Sequence, residues 1–80
     1  MLTQKTVVAR IDALLKENDM KLGTLATLSG VPPTMLKNIM YGNTKNPGII
    51  TIKKLCDGLG VSLNYFFDTD DFKNLEQELK

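Results

Sequence analysis

Between Pro33 and Asn46 the chain reads PTMLKNIMYGNTKN, a stretch whose side chains suit hydrogen bonding better than bond breaking. The Asn38 amide can pair bidentately with an adenine edge, the Thr34 methyl can meet that of a thymine, and Lys37 can reach a guanine or a phosphate. Pro33 offers apolar contact at most. Residues for catalysis are scarce: there is no histidine and one cysteine, Cys56, which excludes a histidine base, a zinc set and an intramolecular disulfide. Cys56 reads as a buried structural thiol. The acidic run DTDDFKNLEQE lacks the pattern of a calcium loop, because Phe72 stands at a ligand position and Lys73 where glycine is required. With no nucleophile, base or metal set, the sequence is not expected to encode an enzyme, and no cofactor or small-molecule substrate is expected.

The charge is nearly balanced, at +1 over 80 residues, but unevenly placed. From Met20 to Lys54 there are five lysines (Lys21, Lys37, Lys45, Lys53, Lys54) and no Asp or Glu; from Asp68 to Lys80 there are five acids against Lys73 and Lys80. Scattered surface charge would explain five lysines, but an acid-free segment is also what a polyanion tolerates best, since each carboxylate would repel phosphate. No apolar run approaches the ~20 residues that span a bilayer, and the first residues do not read as an export signal, so no membrane partner and a cytoplasmic location are expected.

Helices must position these residues. Val7, Ile11, Leu14 and Leu15 predict a first helix from Thr3 or Thr6 to Glu17, with Asn18-Asp19 as punctuation. Leu22, Leu25, Ala26 and Leu28 predict a second, ending at Ser29-Gly30. Pro32 and Pro33 open a third, because proline in a first turn lacks only an N–H that has no partner there and its φ is already helical. Leu36 and Ile39 would hold that helix on the core, leaving Pro33, Thr34, Lys37, Asn38 and Tyr41 outward, with Gly42 ending it. Ile49, Ile52, Leu55, Cys56 and Leu59 predict a fourth helix with Ile50 outward, and Ser62 caps a fifth carrying Leu63, Phe66 and Phe67. In the tail, Phe72, Leu75 and Leu79 form a narrow apolar stripe. It can fold back as a last helix, meet its twin in a dimer, or fray.

Two helices joined by a short glycine-containing connection, with small Ala26 at their crossing, read as a helix-turn-helix. Residues Ile11 to Phe67 resemble the phage-repressor-type family, Cro/C1 or XRE, through LATLSGVPPTMLKNIMYG, the KNP of the next loop and TIKKLCDGLGVSLNYFF. The resemblance implies an all-α fold, a compact five-helix lambda-repressor-like domain whose third helix enters the major groove of double-stranded DNA, usually as a homodimer on a two-fold symmetric operator. It implies that Tyr41, Asn43, Lys45 and Asn46 grip the sugar-phosphate backbone, leaving Pro33, Thr34, Lys37 and Asn38 to read bases. It also implies dimer contacts through the fourth and fifth helices and the segment after them, at Ile50, Asn64, Tyr65, Phe72 and Leu75.

Two positions depart from the family. Where a capping Ser or Thr and a backbone-touching Gln are common, this chain has Lys21 and Leu22; Lys21 cannot cap a helix but can supply charge to a phosphate. Where many relatives pair an arginine with a glutamate, this chain has Leu15 and Met40, which are expected to pack together because an apolar pair needs no desolvation of charge. The expected organisation is a DNA-binding domain over residues 1–67 and an acidic amphipathic tail over 68–80, with the activity of a sequence-specific transcriptional regulator, a repressor. The same domain could serve as the antitoxin of a toxin–antitoxin pair, or as a protein-interaction module that no longer binds DNA.

Overall fold

Val7, Ile11, Leu14 and Leu15 fall at i, i+4, i+7 and i+8, and in the computed structural model, which describes residues 3–79, they form the buried face of α1 (Thr3–Glu17). The helix ends where Asp19 takes a left-handed φ of 50°. The Asp19 and Met20 N–H groups then donate to the carbonyls of Lys16 and Leu15 at 3.1 and 2.8 Å, which satisfies two of the helix's last acceptors.

The remaining helices are α2 (Leu22–Ser29), α3 (Pro33–Met40), α4 (Ile49–Leu59), α5 (Leu63–Phe67) and α6 (Asp70–Lys73), and the described residues contain no strand. Leu25, Ala26, Val31, Leu36, Ile39, Ile52, Leu55, Cys56, Leu59 and Phe66 join the α1 face in one buried cluster. Burial also raises the Cys56 thiol pKa above its ordinary value, with the neighbouring Asp57 carboxylate adding to the effect. The thiol is therefore held neutral, as suits a packing residue.

Gly30 makes the turn between α2 and α3 at φ 73°, and its N–H donates to the Ala26 carbonyl at 3.1 Å. A side chain would strain that left-handed geometry. Gly58 serves a different purpose. A Cβ there would lie 2.9 Å from the Ser29 Cβ and 3.0 Å from its backbone nitrogen, so the absent side chain is what allows α2 to seat against α4.

Two sequence expectations need correction. Leu28 is 59% exposed, because the inward face of α2 runs through Leu22, Leu25, Ala26 and Ser29 at helical spacing, and Leu28 lies off it. Ile49 was expected inward beside an outward Ile50, yet both are exposed; Ile49 is the first residue of α4, one turn beyond Ile52, where the core has already ended. Of the readings open for the tail, a last helix is present, and it is a single turn, α6. Thr69 caps it by accepting from the Phe72 N–H at 3.4 Å, and Phe72 stacks edge-on against Phe67 with centroids 4.9 Å apart. Leu75 is half-buried but Leu79 is 84% exposed. With no apolar surface beneath Leu79, so short a segment has nothing to hold it helical.

Candidate nucleic-acid interface

Pro32 caps α3 from an extended conformation (φ −56°, ψ 139°), Pro33 is its first helical residue, and the Pro32 carbonyl accepts from the Leu36 N–H at 3.0 Å. The two prolines thus begin this helix. Leu36 and Ile39 are 0% and 1% exposed, which fixes the rotation of α3 about its axis. Pro33, Thr34 and Lys37 lie fully on the solvent side and Asn38 is half-buried beside them. Met35, also on this face, is exposed.

At its far end α3 passes into the loop that leads to α4. The Gly42 N–H donates to the Ile39 carbonyl, and the Asn38 carbonyl accepts from both Asn43 and Thr44, at 2.9 and 3.1 Å. The Gln4 side chain of α1 donates through Nε2 to the Thr44 carbonyl at 3.2 Å, tying the loop to the first helix. Tyr41, Asn43, Lys45 and Asn46 are all exposed on this tied loop and the helix end before it. Gln4 is a residue that sequence reasoning missed: its only signal was a polar side chain on the flank of an amphipathic helix, and its partner lies 40 residues away.

Lys21 stands at the N-cap of α2 and makes no side-chain capping bond, as its chemistry predicts. It is exposed on the side of the molecule where α2 begins. Among the described residues the ion pairs are Lys16–Asp12 at 3.0 Å, Lys73–Asp68 at 3.5 Å and Lys53–Asp57. Of the five lysines in the acid-free segment, only Lys53 is therefore paired with a carboxylate. Lys21, Lys37 and Lys45 make no ion pair among the described residues and are open to an external anion.

Leu15 is buried and Met40 packs against the same core, and the two line one groove together with Val8, Met20 and Leu22. The acid-free character of the middle segment does not fully survive folding. Glu78, from the tail, lines a cleft together with Lys45, Asn46 and Ile49.

The arrangement is thus a short helix rotated by two buried aliphatic residues, a tight turn before it, and a tethered polar loop after it, all carrying cations without carboxylates on α3 itself. No helix among the described residues is long and apolar enough to cross a membrane. A profile described as helix-turn-helix matches residues 11–66, which spans α2, the turn, α3, α4 and nearly all of α5. No curated protein and no solved structure matches the chain. With more than half its length matched and the helix–turn–helix geometry in place, the chain belongs to the Cro/C1-type (XRE) helix-turn-helix family, whose members are DNA-binding transcription regulators.

Proposed function

We propose that the protein is a dimeric repressor acting in the cytoplasm, which lays α3 in the major groove of a two-fold symmetric operator and represses by occupying promoter DNA. Thr34, Lys37 and Asn38 read base edges and Pro33 makes apolar contact; Lys21, Tyr41, Asn43, Lys45 and Asn46 grip the phosphate backbone. The observation that carries this reading is the rotation of α3. Burial of Leu36 and Ile39 turns the hydroxyl and ammonium of Thr34 and Lys37 to solvent, on a face without a carboxylate of its own.

In a dimer the two reading helices would stand about one helical turn of DNA apart, ~34 Å. Of the residues expected at the subunit contact, Ile50 and Asn64 are exposed, whereas Phe72 is already packed against Phe66 and Phe67. The Tyr65 ring, although 44% exposed, is held by Arg10 and Glu17 of the same chain. Ile50 and Asn64 are therefore the positions at which a partner subunit is best sought.

A binding-site selection on random duplexes, followed by gel shift on the selected site, tests the proposal. Lys37→Ala and Asn38→Ala are each expected to lose about 1–3 kcal/mol of discrimination, the usual worth of a good base contact. Unchanged binding by both variants would show that the reading surface lies elsewhere. If no duplex binds below micromolar concentration at low salt, the fold serves protein interaction instead.

A further inference from the structure

The tail returns to the molecule at a place its sequence does not announce. After the single turn of α6 the chain runs without regular structure to the start of α1, where the Thr3 hydroxyl donates to the Glu78 carboxylate at 2.5 Å. The next residue of α1, Gln4, holds the Thr44 carbonyl. Thr3, Gln4, Lys45, Asn46 and Glu78 thereby share one cleft, walled by Pro47, Ile49 and Phe67. Among the described residues Glu78 makes no ion pair, so Lys45 and Glu78 are not joined by one. Lys45 nevertheless lines the same cleft as that carboxylate.

Resting on the reading that Lys45 and Asn46 grip the DNA backbone, we propose that Glu78 is a built-in competitor for phosphate, and that the tail docked at Thr3 sets the affinity of the loop for DNA below what its lysine alone would give. Two further observations bear on this. The tail carries five acids against two lysines, so whatever end of it approaches the loop brings negative potential. Its attachment is at two points: Phe72 is anchored among the aromatic rings of α5, while in the exposed segment from Glu76 to Leu79 the Glu78 carboxylate accepts from Thr3. A docked arm fixed at one end and hydrogen-bonded at the other can be released without unfolding the core. Release, by a partner that takes the tail or by high charge density nearby, would strengthen DNA binding.

The effect is electrostatic, so it scales with ionic strength. A carboxylate within roughly a Debye length of the phosphate site, about 8 Å at physiological salt, matters most when salt is low. Glu78→Gln removes the charge but keeps an oxygen that can accept from Thr3, and it changes an exposed residue, so the fold is retained. In the full chain, Glu78→Gln is expected to tighten binding to a fluorescein-labelled duplex of mixed sequence by about two- to fivefold at low salt, with the gain shrinking as salt rises. In a Lys45→Gln background the same substitution should gain markedly less, because the group that the carboxylate disfavours is gone. Equal affinity of wild type and Glu78→Gln, or an equal gain with and without Lys45, overturns the proposal. If the wild-type chain binds no duplex at all, the function proposed above fails and this inference fails with it; wild-type binding with an unresponsive Glu78 overturns the inference alone.

Discussion

The two flanks of the molecule spend their polar side chains in opposite ways. Where α1 meets α5, Arg10 donates through Nε to the Phe66 carbonyl at 2.8 Å and through Nη2 to that of Tyr65 at 2.7 Å, and stacks over the Tyr65 ring at 5.0 Å. The Tyr65 hydroxyl donates to Glu17 at 3.0 Å. These carbonyls end a helix, where the Tyr65 carbonyl also accepts from the Asp68 N–H at 3.3 Å, and the end of a helix is a place that suits a cation. On the α3 flank, Thr34 and Lys37 stand exposed, and the helix is seated on the core by the burial of Leu36 and Ile39. Polar groups consumed internally are structural; those left at the surface on a rigid support are available to a ligand. The comparison predicts that substitutions on the first flank cost stability and spare binding, and that those on the second do the reverse.

The largest effect belongs to the aromatic end of the first flank. Phe66 is 0% exposed and touches Phe67, with centroids 4.9 Å apart, and Phe72 at 6.1 Å. Phe66→Ala should therefore destabilise by about 3–5 kcal/mol, through lost transfer energy and the cavity that remains. In a domain whose whole stability is on the order of 4–12 kcal/mol, that brings unfolding close to ambient conditions. A urea titration followed by circular dichroism measures it, and a midpoint near that of wild type would mean that the aromatic cluster does not hold α5 in place.

Arg10→Ala tests the flank comparison directly. Two hydrogen bonds from a charged donor are lost, but one of them is exposed to solvent, so a cost of about 2 kcal/mol is expected, equivalent to roughly 10 °C in melting temperature for a chain of this size. DNA affinity measured well below that temperature should be unchanged. The mirror image is Lys37→Ala, already proposed as a probe of base reading, which should leave the melting temperature within the ~0.5 kcal/mol typical of surface positions. If Arg10→Ala weakens binding while the fold is intact, the division between the flanks is wrong.

The difference between the flanks also explains how much of the protein was legible in its sequence. Helix periodicity located all five helices of the family domain, and steric rules placed Pro32-Pro33 at the start of α3, Gly42 at its end and Ser62 as the cap of α5, where it accepts from the Tyr65 N–H at 3.0 Å. Such signals are local. The Arg10 clamp joins residues 55 and 56 positions apart through backbone carbonyls, which every residue possesses, so no residue type marks the partner. The bond between Thr3 and Glu78 spans 75 positions and was hidden for the same reason. Leu28 and Ile49 misled because apolar character was read as burial, whereas a helix only buries the arc that another element covers. On the interface side, the outward set on α3 follows from Leu36 and Ile39, but Gln4, which ties the loop, could not be found by spacing.

Gly58 is the point where the flanks are coupled. It lies in the last turn of α4, and the space where a Cβ would stand is occupied by the Ser29 Cβ at 2.9 Å, the Ser29 nitrogen at 3.0 Å and the Leu25 Cδ1 at 3.1 Å. Leu25 could adjust, but the Ser29 backbone cannot without moving the end of α2 and the turn at Gly30. Helix propensity alone would make Gly58→Ala stabilising by up to ~1 kcal/mol; the overpacking it causes costs typically ~1–3 kcal/mol. The net expectation is a loss of about 1 kcal/mol, the smallest of the three destabilising effects and the only one of them accompanied by a shift of the reading helix. DNA affinity should therefore fall by more than the fraction unfolded accounts for, which a gel shift set beside a urea titration resolves. A more stable variant with unaltered binding would mean that α2 and α4 can separate freely, and that the turn before α3 is positioned by something other than this contact.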